Sequence, residues 1–201
     1  MNLDWDSMGT VRTLEAGAFL WYQDDAAGDV VLLLEGELDV LQESAEGEVV
    51  VFKTLGPGDV LGDMSCLDGC PHSASVKART PSRVRTVSAA EFKQAIKGRP
   101  EVLEALLYRQ AERIRRLTRD MARLGFENVR TRVARYLLER WRQGGGQPVR
   151  ATHHEVAARV AATRESVTKA LGDLAKRNLV RLTRGQVHVL DPESLQDLTG
   201  S

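Results

Sequence analysis

The sequence predicts an α+β chain in three parts: antiparallel strands first, then one long helix, then a group of short helices closed by a hairpin. Three observations carry this. Between Val11 and Val87, short apolar or alternating runs ("VVLLLEGELDVL", "EVVVFKTLGPGD", "ASVKARTPSRVRTV") are separated by Gly, Pro and Asp turns at roughly regular spacing, the pattern of an antiparallel sandwich or barrel. From Glu101 to Gly125 the apolar residues fall into two series seven apart. From Thr152 two short helix patterns precede an alternating stretch around Arg184-Gly185-Gln186.

In the strand-rich part, Gly36 and Glu46-Gly47 stand where hairpins turn, and "GPGD" at 56–59 stops any helix or strand. Ser88 is an N-cap for "AAEFKQAI", which ends at Gly98-Arg99-Pro100. The long helix would span roughly 37 Å. Leu103, Gln110, Leu117 and Leu124 interleave with Leu107, Ile114 and Met121 to make an a/d seam with one polar interruption, Gln110. A helix serving only its own chain would carry a wider apolar stripe, so the seam predicts a parallel coiled coil in a homodimer. After Gly125, "ENVRTRVARYLLERWRQ" is a second amphipathic helix, ended by Gly144-Gly145-Gly146. The expected parts are residues 1–98, 99–125 and 126–201.

Composition narrows the function classes. The formal net charge is zero, but residues 1–99 hold 9 Lys+Arg against 16 Asp+Glu and residues 100–201 hold 19 against 12, so a −7 half is joined to a +7 half. A localised basic half points to a polyanionic partner. The longest apolar run, Val30 to Leu34, is far short of a bilayer span, and "MNLDWDSMG" has neither part of a signal peptide, so the expectation is a cytoplasmic protein with no membrane partner. Two cysteines suit a reducing compartment.

"ATHHEVAARVAATRESVTKALGDLAKRNLV" divides into two helices joined by a tight turn. Thr152 and Glu155 form a capping box, and Thr163 caps the second helix. At about 100° per residue, Val167, Ala170, Leu171 and Leu174 share one face of that helix, while Glu165, Thr168, Lys169, Gly172 and Lys176 face away and Arg164 sits at its N-terminal rim. This is the geometry of a helix-turn-helix, whose second helix enters the major groove of double-stranded DNA with its first residues on base edges. Arg or Lys bonds guanine and Glu accepts from cytosine, which makes Arg164, Glu165 and Lys169 candidate base contacts. Thr152, His153, Thr163, Ser166, Thr168 and Arg184 are candidate backbone contacts. "LVRLTRGQVHVLD" reads as a two-stranded wing.

Acidic strand domain, long helix and winged helix-turn-helix, together with Gly36, Gly56, Gly58-Asp59, Gly62 and "TRESVTKAL", resemble the Crp/Fnr transcription regulators over nearly the whole chain. The resemblance implies a β-roll (double-stranded β-helix) like those that bind cyclic nucleotides, a homodimer on a pseudo-palindromic operator, an activating role, and RNA polymerase as a further partner. It also places Arg164, Glu165 and Lys169 where the family reads bases. Ala161 stands in the turn where the family commonly has glycine.

The resemblance further implies an effector pocket formed here by Gly62, Asp63, Met64, His72, Ser73, Arg113, Leu117 and Thr118. Asp63 is one methylene shorter than the family's Glu, Leu117 replaces a hydroxyl residue, and His72 replaces the arginine that holds the cyclic phosphate. Losing a permanently charged fork removes roughly 2–3 kcal/mol, on the order of a 30- to 150-fold loss of affinity. Two alternatives stay open: cyclic AMP held through Ser73 and backbone amides, or, as the resemblance also allows, a regulator that works without a small effector and is controlled by its abundance. A third is a redox- or metal-responsive turn built from Cys66, Cys70 and His72, although C-x₃-C-x-H is a weak ligand spacing and two thiols are too few for an iron–sulfur cluster within one chain. An enzyme is not expected, because three of four histidines, His153, His154 and His188, fall in the basic half and no nucleophile–base constellation is visible.

Overall fold

The computed structural model describes residues 3–200. They form two compact units, one holding the chain through Gln42 with Val51–Arg116, the other Glu43–Val50 with the chain from Leu117 onward.

In order, the first stretch contains β1 (Thr10–Leu14), β2 (Phe19–Trp21), β3 (Asp29–Glu35), β4 (Leu38–Glu43), β5 (Val49–Leu55), β6 (Val60–Leu61), α1 (Asp63–Asp68), β7 (Ser75–Ala78), β8 (Ser82–Ser88), α2 (Ala89–Ile96) and α3 (Pro100–Phe126). The strands make two four-stranded sheets, ordered β1-β8-β3-β6 and β2-β7-β4-β5. Pairing is antiparallel, with Val31 opposite Thr86 in the first sheet and Leu38 opposite Ala78 in the second. Both sheets contribute to one core through Val31, Leu33, Leu38, Leu55, Val76 and Val84. The run "VVLLL" does not alternate because both faces of β3 are covered: Val30 joins Val87, Phe92, Val102 and Leu106 in a second cluster.

The turn chemistry follows the sequence. Gly36, between β3 and β4, has φ +89°, and a Cβ there would lie 2.5 Å from the Pro81 carbonyl. Ser88 Oγ accepts from the Glu91 amide and starts α2. The long helix begins one residue earlier than its apolar pattern, at Pro100, where a missing N–H is harmless.

The later elements are α4 (Val129–Gln143), β9 (Val149–Arg150), α5 (His153–Val160), α6 (Arg164–Lys176), β10 (Val180–Thr183), β11 (Gln186–Val189) and α7 (Pro192–Asp197). Helix α4 starts two residues after Glu127 because Asn128 caps it, its side-chain oxygen accepting from the Thr131 amide at 3.0 Å. Val133, Leu137, Val156, Val167, Leu171, Leu174, Val187 and Leu195 pack into one core. β9 completes a three-stranded sheet ordered β10-β11-β9. Among the described residues no helix is long and apolar enough to cross a membrane.

Candidate nucleic-acid interface and effector pocket

The helix-turn-helix is assembled by local signals and then fastened from outside. Thr152 Oγ1 accepts from the Glu155 amide at 3.2 Å while Glu155 Oε2 accepts from the Thr152 amide at 2.6 Å, a complete capping box. Thr163 Oγ1 accepts from the Ser166 amide and donates to Ser166 Oγ, so both residues serve the start of α6. The turn between the helices passes through Ala161 at φ +48°, ψ +60°, a left-handed conformation that costs a non-glycine residue about 1–2 kcal/mol.

Arg132, on α4, holds that turn. Its guanidinium donates from Nε to the Val160 carbonyl (2.9 Å), from Nη2 to the Ala161 carbonyl (3.3 Å) and from Nη1 to the Glu127 carbonyl (2.7 Å). Nothing in the local pattern around Arg132 distinguishes it from the other arginines of α4; its role depends on which carbonyls the fold brings to it. Arg135, one turn on, pairs with Glu127 at 2.6 Å and donates to the Thr199 carbonyl.

On α6, Val167, Ala170, Leu171 and Leu174 are buried, and Arg164, Glu165, Thr168 and Lys169 are exposed. Thr168 Oγ1 donates to the Arg164 carbonyl and meets His153 Nδ1, each at 2.9 Å, so α5 and α6 are joined at their exposed N-terminal ends. Arg184, exposed, forms with Gly185 the two-residue turn between β10 and β11. A cleft of about 390 Å³ lies between helices and wing, lined on one side by Thr152, His153, His154 and Arg164 and on the other by Thr183, Gly185 and Gln186.

In the strand unit, the segment "GDMSCLDGCPHS" folds into α1 and a loop. Gly62 caps α1 at φ +76°, and a Cβ would lie 2.3 Å from the Asp29 carbonyl, so no other residue fits. Asp63 is buried and its Oδ2 accepts from Gln110 Nε2 of α3 at 3.3 Å. Met64 Sδ accepts from Arg113 Nη1 at 2.9 Å. His72 is only 5% exposed, its ring stacked on Trp21 with centroids 4.1 Å apart, and burial pushes its pKa below the ordinary histidine value against the opposing pull of Asp25 and Asp29. Its backbone is pinned to the loop 24–25 in both directions. Trp21 Nε1 donates to the Ala74 carbonyl. Ser73 is exposed and its carbonyl accepts from Gln42 Nε2. Leu117 and Thr118 are exposed residues of α3 in the other unit.

Neither the pair Asp63–Gln110 nor the stack Trp21–His72 is visible in the sequence. Gln110 reads there as a polar break in a seam, and Trp21 as a strand aromatic. Cys66 is buried with its thiol against the Ala89 carbonyl, and burial pushes its pKa up; Cys70 is at the surface. Among the described residues no group of three or more His, Cys, Asp or Glu side chains is placed to hold a metal ion.

Along α3, Leu103, Leu107, Ile114, Leu117, Met121 and Leu124 are all exposed, Leu107 at 70% and Met121 at 72%, whereas Val102 and Leu106 are buried. Gln110, the remaining seam position, is half-buried.

Comparison with known proteins agrees with this architecture. Residues 11–99 match the cyclic nucleotide-binding domain and residues 131–198 the Crp-like helix-turn-helix domain. The chain is 32% identical over 187 residues to the cyclic AMP receptor protein of Thermus thermophilus, covering 93% of this chain and 87% of that protein. It is also 32% identical over 182 residues to a CRP-like cAMP-activated global transcriptional regulator of Mycobacterium tuberculosis, covering 87% and 81%. Among solved structures, a CRP-family transcriptional regulator from Thermus thermophilus superimposes with a TM-score of 0.75 at 27% identity, covering 94% of this chain and 97% of that one. The c-di-GMP responsive global regulator of Xanthomonas campestris shares the fold, with a TM-score of 0.83 at 20% identity over 91% and 94%. With a nucleotide-binding-type strand domain in front of a winged helix-turn-helix and this identity along nearly its full length, the chain belongs to the Crp family of transcriptional regulators.

Proposed function

We propose that the protein is a homodimeric, sequence-specific DNA-binding activator of transcription that engages its operator without cyclic AMP. The observation that carries the DNA reading is the face of α6: Arg164, Glu165 and Lys169 are exposed on the side opposite the core, at the helix end nearest the turn. These three are the proposed base-reading residues. Thr152, His153, Thr163, Ser166, Thr168 and Arg184 are the proposed backbone contacts.

The exposed seam on α3 supports the homodimer. Six apolar side chains in a/d spacing gain from burial against an identical row, about 1.5–3 kcal/mol for each one fully covered. Two recognition helices then meet half-sites about one helical turn apart. RNA polymerase is the further partner expected of an activator, and the cytoplasm its place of work.

The pocket side chains support effector independence. The relatives' names carry two different nucleotides, cyclic AMP and c-di-GMP, so the shared fold does not select an effector. What supports independence is the set of contacts among these side chains: His72 is stacked on Trp21 with burial disfavouring its charged form, and Asp63 is engaged by Gln110 of α3. A neutral, acceptor-bearing imidazole is a poor substitute for a guanidinium toward a phosphate. Asp63–Gln110 makes, within the protein, a link between the strand domain and the long helix.

Substitution of α6 and α3 tests the reading. Arg164→Ala or Glu165→Ala should cost about 1–3 kcal/mol of operator binding and relax preference at one base pair. Ile114→Glu should yield monomers in light scattering with much weaker binding. A uniform loss across all DNA sequences for Arg164→Ala and Glu165→Ala would reassign those residues to the backbone, and dimers surviving Ile114→Glu would refute the seam.

A further inference from the structure

We propose that Arg184, at the tip of the wing, enters the DNA minor groove beside each half-site and selects a narrow, A·T-rich stretch there, so that the operator carries a second specificity element that α6 does not touch. This rests on the DNA-binding reading above and adds groove readout to the backbone contact given there to Arg184.

The wing holds one side chain forward. Its last cross-strand pair is Thr183 with Gln186, so only Arg184 and Gly185 lie beyond the ladder. Gly185 turns at φ +72° and leaves the tip with a single side chain. Behind the tip the hairpin is fixed: Val180 and Val187 are buried in the core that α6 also fills, and β9 pairs with β11 through Val149–Val187 and Arg150–Gln186. Just below the turn, Thr183 Oγ1 meets His188 Nε2 at 3.2 Å and ties the two strands together. The tip therefore keeps a set position relative to α6.

The cleft decides which groove that position meets. His153 and Arg164 stand on one wall and Thr183, Gly185 and Gln186 on the other, with about 390 Å³ between them. In a duplex a single sugar–phosphate strand separates the major from the minor groove. With the start of α6 in the major groove and that strand lying in the cleft, the far wall stands over the adjacent minor groove. That groove is about 6 Å wide, room for a side chain but not for a helix.

The charge of the hairpin suits that place. From Asn178 to Leu190 the chain carries Arg181 and Arg184 and no Asp or Glu. The acid that follows, Asp191, has its carboxylate committed to the Ser194 amide and hydroxyl. A guanidinium with no acid in its own hairpin is drawn to the deepened negative potential of a narrow A·T tract, whereas a G·C pair opposes it with the guanine N2 amino donor.

The test is competition in fluorescence anisotropy with the full chain, on duplexes that share a core motif enriched from a random pool and differ only in the base pairs adjoining each half-site: A·T, G·C or inosine·C. Inosine keeps the major-groove face of guanine and lacks its minor-groove amino group. The unsubstituted chain should bind A·T and inosine·C flanks alike, and both about three- to tenfold tighter than G·C flanks. Arg184→Ala should bind all three alike with the core motif unchanged. Arg184→Lys, which keeps the charge without the planar fork, should discriminate less than arginine. Equal binding of all flanks by the unsubstituted chain, inosine·C behaving as G·C, or discrimination that survives Arg184→Ala would overturn the inference while leaving DNA binding in place. Failure to enrich any motif would sink both.

Discussion

The imidazole of His72 lies flat against the indole of Trp21, the ring planes 8° from parallel and the centroids 4.1 Å apart. Burial holds this histidine's pKa down, so the unfolded chain binds more protons there than the folded one. The contribution to stability is complete above the ordinary imidazole range and is lost as pH falls through that range toward the folded-state pKa. The melting temperature should therefore fall on going from about pH 7 to about pH 5.5. His72→Phe, which keeps a ring on Trp21 and removes the titration, should fall less. Identical pH slopes for the two proteins in calorimetry would contradict the assignment.

Asp63 and Gln110 give a second prediction. Asp63 is 5% exposed, and its carboxylate accepts from the Gln110 amide, so Gln110→Ala should destabilise the protein by about 1–3 kcal/mol in urea. Asp63→Ala should cost less in the background of Gln110→Ala than alone. Additivity within about 0.3–0.5 kcal/mol in the double-mutant cycle would show that the two do not interact.

Much of the fold is legible because its signals are local. The caps at Ser88, Thr152 and Thr163, the hairpin glycines and the 3.6-residue periodicity of α6 each act within a few residues, and each appears where its spacing puts it. α1, β9 and α7 are short, and their patterns do not rise above those of a loop; β9 exists because β11 offers it an edge. The candidate site divides the same way. The outward face of α6 follows from periodicity alone, whereas the contacts made by Asp63 and His72, two of the candidate effector residues, join residues 47 and 51 positions apart, Asp63 to Gln110 and Trp21 to His72. No local spacing encodes such pairs.

Ala161 provides a prediction of opposite sign. Its left-handed backbone is strained for alanine and free for glycine, while glycine adds entropy to the unfolded chain. Ala161→Gly should therefore raise stability by a net of about 0.5–1 kcal/mol. An unchanged or lower denaturant midpoint would mean that the turn relaxes at no cost.

Arg132 should prove a positioning residue for the recognition helix. One guanidinium serves three carbonyls, those of Glu127, Val160 and Ala161, and a lysine has no fork with which to do so. Arg132→Lys should cost about 2–3 kcal/mol and speed amide hydrogen exchange at Ala161 and Ala162. It should also weaken DNA binding without altering base preference, since Arg132 lies on α4 and not on the exposed face of α6. Altered preference at one base pair, with exchange unchanged, would contradict this.

The central claim, a regulator that reads DNA through α6 without a cyclic nucleotide, is tested most directly by selecting bound duplexes from a random pool with and without cyclic AMP. The predicted result is one pseudo-palindromic motif, with half-sites about one helical turn apart, enriched equally in both arms. Enrichment only when cyclic AMP is present, or none in either arm, would contradict it.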